Sequence, residues 1–591
     1  MLFGKHVNKY YLKYFFSFFI GVVSLIVVDI AQIYIPIYLG EAIDNMNNHV
    51  PSSTYLSEML INLVIVAFAI FIGRFVWRIA FLGTATKIQQ HLRGEIFNKI
   101  TTLSRKYFHN NRVGELLSLL TYDVEAIQDV FGFGMISLVD CLFLGTMTLI
   151  QMFILDWRLT LMSLIPLLLI GILSGAIEKG LSSRYAKRQK TLDNLSNFAQ
   201  ENFSGIRVIK AFVQERYEKM IAHKLGMDCK NADVSLSKFS SGVDALITFL
   251  CNTIMFVLLS GGGYFVYLTA SGAEVIPLTV GDITKFVGYF NLLVWPMLAI
   301  GHVIVMTSKG STSLKRISKL LDLEEDIIDG ELTFENPVLG DIEIKNLTFT
   351  YPDASSPSLK NITLKINKGE KIGIVGRVGS GKSTLMDILM RLYNVEKGTV
   401  FIDNIDIMNL KVKDVRNIIG YVPQDSFLFS DKVKNNISFV QEEMPMDKII
   451  EAAKFSSVHD NILKFDNGYD TITGEKGVSL SGGQKQRIAI SRAYIKDAPI
   501  LIMDDSVSAV DMKTEQTILN NINELRKDKT TILIASRVST ICHLDRILVL
   551  KDGQIEGFAP HDELLKISKT YAHMVKIQKF EEEMEGDRYE S

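Results

Sequence analysis

Lys371-Ile-Gly-Ile-Val-Gly376-Arg-Val-Gly-Ser-Gly-Lys382-Ser-Thr384 is an apolar run that passes straight into a glycine-rich loop, and the apolar helical stretch Leu385–Leu392 follows. This is the strand–loop–helix context that a Gly-x-x-x-x-Gly-Lys-Ser pattern needs in order to mean phosphate binding. Glycines let the backbone turn its N–H groups toward a phosphate, and the N-terminus of the following helix adds a favourable dipole. Gly376, Arg377, Val378, Gly379, Ser380, Gly381, Lys382, Ser383 and Thr384 are therefore the expected cradle. Lys382 is placed to reach β- and γ-phosphates, and Ser383 to ligate Mg²⁺.

Working outward, Ile500-Leu-Ile-Met-Asp504 is an apolar strand ending in a carboxylate. A P-loop ATPase puts the acid that holds Mg²⁺ at such a strand end. Alone the strand is uninformative; paired with the loop it predicts a site for ATP and Mg²⁺. Short apolar runs alternating with helical stretches predict an α/β domain over 341–578.

The other half of the chain is different in kind. The 591 residues are 48% hydrophobic, with a formal net charge of only -2, so no global field argues for nucleic acid. The apolar residues crowd into runs near 14–39, 58–83, 131–154, 157–178, 243–268 and 281–306. Each is long enough for the roughly 20 residues of helix that cross a bilayer. The first run is too long for a cleaved signal sequence and contains Asp29, so it is expected to remain as an anchor.

Lys and Arg fill the segments near 84–130 and 179–242 and are missing from those near 41–57 and 269–280. The positive-inside rule then places both termini and the long loops in the cytosol, with the spans in the cell membrane. Those loops are rich in helix formers and have no Pro, which predicts helices continuing past the membrane. The expected organisation is a six-helix transmembrane domain over 1–310, a connector over 311–340, the α/β P-loop ATPase domain over 341–578 and a frayed acidic tail over 579–591. Cys141, Cys229, Cys251 and Cys542 are too scattered for a redox or metal motif.

Leu480-Ser-Gly-Gly-Gln484 resembles the signature motif of the ATP-binding-cassette (ABC) family, and that family's other markers stand around it in order. Tyr351 resembles the aromatic that stacks on adenine, and Gln424 the glutamine that touches Mg²⁺ and the attacking water. Gly474-Glu475-Lys476-Gly477 resembles the loop preceding the signature in exporters, and Ser508-Ala-Val-Asp511 the D-loop. In the membrane half, Asn110–Glu115 and Glu201–Lys210 resemble the two coupling regions of exporters. The resemblance covers nearly the whole chain. It implies two subunits per transporter, with Ser481, Gly482, Gly483 and Gln484 of one closing over the nucleotide held by the other.

Two positions depart from the family. Asp505 stands where the base is normally Glu, and Ser536 where His normally contacts the γ-phosphate. The Asp side chain is shorter by one carbon–carbon bond, about 1.5 Å, and a misplacement of about 1 Å costs about 100-fold in rate. Both changes beside an intact signature predict a site that binds ATP and hydrolyses it slowly, completed by a different partner chain having Glu and His. The alternatives are a slow homodimer, or a channel or sensor on the same scaffold; the direction of transport is open as well.

Asp29, Arg74, Arg78, Asp140, Asp244 and His302 fall within or near the spans. Charges at that depth face protein or water, as a polar translocation path or as structural pairs. Trp157 is expected as an interfacial anchor. The substrate class is left at drug, lipid or peptide.

Overall fold

The computed structural model describes residues 4–48, 53–111, 113–271, 278–352, 354–441, 443–474 and 480–590. They form two units, one of Met1–Thr102 with Asn111–Leu323 and one of Leu103–Asn110 with Glu324–Ser591.

The first unit is helical: α1 (Phe15–Asn48), α2 (Ser53–Thr102), α4 (Val113–Leu155), α5 (Trp157–Ser204), α6 (Ile206–Ala211), α7 (Glu215–Ala270) and α8 (Val280–Leu321). The short α3 (Arg105–Asn110) lies between α2 and α4 in sequence yet belongs to the second unit. Among the described residues, α1, α2, α4, α7 and α8 contain windows long and apolar enough to cross a membrane. The remaining expected span, 157–178, falls in α5, where the side chains of 165–171 lie outside the described set. At 1.5 Å per residue α2 rises about 75 Å and α7 about 84 Å, well past a bilayer core of about 30 Å.

Phe286, Tyr289, Phe290 and Leu293 of α8 pack on Leu144 and Met152 of α4 and on Ile254 and Leu258 of α7. Phe68, Phe71 and Phe75 of α2 point outward and stay exposed, as an apolar helix face does when its solvent is hydrocarbon. Where α1 meets α8 the backbones almost touch. A Cβ on Gly281 would lie 2.2 Å from the Gly40 carbonyl oxygen, so only glycine allows this approach. Asp44 closes the same corner, accepting from the Thr279 hydroxyl (2.7 Å) and the Gly281 N–H (2.8 Å), while Thr279 caps α8.

Three boundaries differ from expectation. The stretch 311–321 is no separate connector, because it continues α8 without a break. The stretch Asn110–Glu115 is not one element: Asn110 ends α3, and Val113 already opens α4. The tail is no separate segment, because the helix that begins at Lys569 runs through it to Glu590. Tyr571, Met574 and Val575 pack its first turns onto the domain core, and once a turn is seeded, Glu- and Met-rich sequence propagates helix at little cost.

The second unit holds two sheets. Strands β1 (Ile342–Phe349), β2 (Leu359–Ile366), β4 (Val400–Ile402) and β5 (Ile405–Asp406) make an antiparallel sheet in the order β2-β1-β4-β5. Strands β3 (Lys371–Gly376), β6 (Ile419–Val422), β7 (Ile500–Asp504), β8 (Thr530–Ile534), β9 (Arg546–Lys551) and β10 (Gln554–Ala559) form the larger sheet, ordered β10-β9-β3-β8-β7-β6. All its pairings are parallel except β9 with β10. Every residue of β7 and β8 is buried, which is why both read as apolar or Thr runs up to Asp504 at the end of β7. The C-terminal ends of β3, β7 and β8 lie side by side, where ligands of open α/β sheets bind.

Candidate functional site

Beyond β3 the chain turns through Gly376–Gly381 into α9 (Lys382–Leu389), which starts three residues earlier than the apolar pattern alone indicates. The turn depends on Gly381, whose φ of 101° suits glycine; a Cβ there would lie 2.6 Å from Leu359 Cδ2 and 2.9 Å from the Ser358 carbonyl oxygen. Val378 at the loop tip is fully exposed, while the buried Ser380 hydroxyl has no partner among the described residues.

The loop rims a cavity of about 520 Å³. Tyr351, Gly376, Arg377, Val378, Gly379, Gly381, Lys382, Ser383, Thr384, Gln424, Asp504, Asp505 and Ser536 all line it, so nearly every expected binding residue comes to one place. Ser358, Ile534 and Ala535 also line it; as ordinary strand and loop residues they carry no signal in the sequence. The Lys382 ammonium donates to the carbonyls of Gly376 (2.8 Å) and Arg377 (3.0 Å). The Tyr351 hydroxyl donates to Thr384 (3.0 Å), and its ring meets Phe349 and Tyr393 edge-on.

Burial pushes the Asp504 carboxyl above the usual carboxylate range, and the charge of Asp505 adds to this. A hydrogen bond from Ser383 and the charge of Lys382 pull the other way. Burial likewise lowers Lys382, against the attraction of Asp504 and Asp505. The cavity thus concentrates negative charge beside hydroxyl and amide oxygens. A glycine cradle, the unpartnered Ser380 hydroxyl, and Ser383, Asp504 and Gln424 as oxygen donors fit a nucleotide with Mg²⁺.

Asp505 and Ser536 face one another, the Ser536 hydroxyl donating to Asp505 Oδ1 at 3.3 Å. Asp505 sits in the left-handed region, φ 45°, which Asp tolerates better than most residues. The loop that carries Ser536 is held from the C-terminal helix α11 (Lys569–Glu590). Gln578 Oε1 accepts from the Val538 N–H (2.7 Å), and its Nε2 donates to the Ser536 carbonyl (3.2 Å).

Ser481, Gly482, Gly483 and Gln484 do not line this cavity. They open helix α10 (Gly482–Tyr494) through a reciprocal cap, Ser481 accepting from the Gln484 N–H and Gln484 from the Ser481 N–H. A Cβ on Gly482 would meet nothing within 4 Å, whereas one on Gly483 would lie 2.9 Å from the Ala509 carbonyl oxygen. Gln486 accepts from the Ala509 N–H (3.2 Å), tying the D-loop to the signature helix. Glu475, Lys476 and Gly477 lie outside the described residues.

One further ion pair reaches the site. Arg105 of α3 contacts the buried Asp387 of α9 at 2.5 Å, and its charge is felt by Asp504 and Tyr351.

The two halves match two family models: the ABC transporter transmembrane region over residues 18–297 and the ABC transporter domain over 359–508. A probable multidrug resistance ABC transporter ATP-binding/permease protein of Bacillus subtilis, YheI, is 32% identical over 98% of both chains. The chain belongs to the ABC transporter family. The multidrug resistance-like ATP-binding protein MdlA of Escherichia coli is 32% identical over 95% of this ABC transporter chain and 94% of its own. A bacterial Atm1-family ABC exporter with ATP bound shares the fold, with a TM-score of 0.76, 24% identity, and coverage of 97% of this chain and 98% of that one. This transporter chain therefore combines a membrane-embedded helical unit with a cytosolic ATP-binding unit.

Proposed function

We propose that this chain is the weakly hydrolysing subunit of a heterodimeric ABC exporter that moves a small or amphipathic molecule out of the cell. The observation that carries the reading is the pair Asp505–Ser536, which replaces the family's Glu and His while the rest of the ATP cradle is kept. Lys382, the loop N–H groups and Tyr351 bind and orient the nucleotide; Ser383, Asp504 and Gln424 would hold Mg²⁺, which when bound supplies positive charge to the phosphate oxygens. Asp505 reaches about 1.5 Å less far than Glu, and Ser536 brings a neutral donor already directed at Asp505. The attacking water is then poorly placed and its proton poorly received.

The signature serves the other subunit. Its open Gly482 and its helix N-terminus suit a phosphate arriving from outside the chain. The second coupling segment, α6, buries none of its side chains, and its Val208 and the adjoining Phe212 are exposed, which supports a partner subunit covering them. In the proposed cycle, ATP closes the two ATP-binding units, the coupling segments move the helices outward, and hydrolysis at the partner's site resets them. Relatives named for multidrug resistance and multidrug export support the outward direction.

The test is ATP turnover by the purified chain in lipid, alone and with a partner carrying Glu and His. Turnover of a few per second by the chain alone, about the ordinary enzyme range, refutes the reading. Asp505→Glu with Ser536→His, in the presence of the partner, is expected to raise hydrolysis at the repaired site.

A further inference from the structure

Between α1, α2, α4 and α8 lies a second cavity, of about 380 Å³, and Asp29 of α1 is on its wall. Asp29 is 1% exposed, and neither of its carboxylate oxygens has a hydrogen-bond partner among the described residues. A buried carboxylate with both oxygens unmet is costly unless something pairs with it. Arg74 and Arg78 share the wall with Asp29 and Asp140, yet among the described residues no ion pair joins either arginine to Asp29. Asp140 accepts from the Trp295 indole N–H (3.0 Å) and lies in Coulombic reach of Arg74. The Arg78 guanidinium lies over the Trp77 ring, 5.5 Å from its centroid. The charge that does reach Asp29 is the like charge of Asp140.

The rest of the wall narrows what would fit. Trp77, Phe133 and Trp295 supply aromatic faces, and the buried indole N–H of Trp77 is itself unpartnered. Phe133 lies in a π-helical turn of α4, Val130–Gly134, a form frequent at functional sites. A bare metal ion does not suit the wall, because among the described residues no group of three or more His, Cys, Asp or Glu could hold one. Two unmet acceptor oxygens beside aromatic walls call for a cation that has N–H donors and an apolar body.

We propose that this cavity binds protonated, amphipathic amines, the ammonium donating to Asp29 and the apolar body lying against Trp77, Phe133 and Trp295. As transport cargo such an amine rests on the export reading, but its binding is measured without ATP, so the two fail separately. Two of the chain's three tryptophans, Trp77 and Trp295, line the cavity and report on occupancy. The full-length protein in phosphatidylcholine nanodiscs is titrated with 4-(4-bromophenyl)butylamine and with the neutral 4-(4-bromophenyl)butanol, following bromine quenching of tryptophan fluorescence. The amine is expected to quench saturably and to bind about tenfold or more tighter than the alcohol, the size of one charge-assisted hydrogen bond. Asp29→Asn is expected to abolish that preference and leave the alcohol's binding unchanged. Equal binding of amine and alcohol by the unaltered protein, or an undiminished preference in Asp29→Asn, overturns the proposal.

Discussion

Gln578 offers a test of how the Ser536 loop is held, because one amide makes two separable bonds. Its Oε1 satisfies the N–H of Val538, a residue that is 4% exposed, and its Nε2 meets the carbonyl of the exposed Ser536. In Gln578→Ala both bonds go. The Ser536 carbonyl turns to water at little cost, while the Val538 N–H loses its partner in a buried position, which costs about 1–3 kcal/mol. For a domain of this size each kcal/mol lowers the midpoint by about 2–4 °C. A loss of about 1–3 kcal/mol thus moves the transition of the ATP-binding unit down by about 2–12 °C. Gln578→Glu keeps an acceptor for Val538 and gives up only the exposed bond, so it should lose much less. The assay is thermal unfolding of the full chain in detergent, with and without MgATP, together with titration of a fluorescent ATP analogue. If Gln578→Ala melts and binds nucleotide as the unaltered chain does, the C-terminal helix does not hold this loop.

Two more predictions concern ion pairs of the same unit. Burial pushes the Asp387 carboxyl up, and Arg105 opposes this. A raised carboxyl contributes stability below its ordinary value near 3.8, and the contribution is lost as pH rises through the folded value. Arg105→Gln should therefore cost about 1–2 kcal/mol at neutral pH, a figure reduced because Arg105 is 57% exposed. That deficit should fade on the acid side and vanish in Asp387→Asn, as a double-mutant cycle of unfolding will read. Glu370 behaves the opposite way: burial raises it, but the paired hydrogen bonds from Arg546 win and hold it below the usual range. Its contribution is present above the ordinary value of 4.5 and lost as pH falls through the folded value. Glu370→Gln is expected to cost about 1–3 kcal/mol at pH 7, with the difference from the unaltered chain closing in denaturant titrations as pH falls through the lowered folded value.

What the sequence shows on its face, and what it hides, follows from distance along the chain. The phosphate cradle is legible because Gly376–Thr384 is contiguous and its glycines answer a local backbone demand. The spans are legible as apolar runs, yet no run says that Asp29 would be buried without a partner while Phe68 stays exposed, since helix rotation is decided by packing against other helices. Arg105 and Asp387 lie 282 positions apart, and only the folding of Leu103–Asn110 into the ATP-binding unit joins them. The pair on which the proposed function rests illustrates the same physics. Read along the chain, Asp505 and Ser536 are separate substitutions 31 residues apart. In the sheet, β7 pairs with β8 in parallel and Asp504 lies opposite Ile534. The residues that emerge next from each strand are thereby delivered to one rim of one cavity. Register makes them a single contact, so a change at one alters the setting of the other, and the proposed gain of hydrolysis has to be sought with both positions changed together.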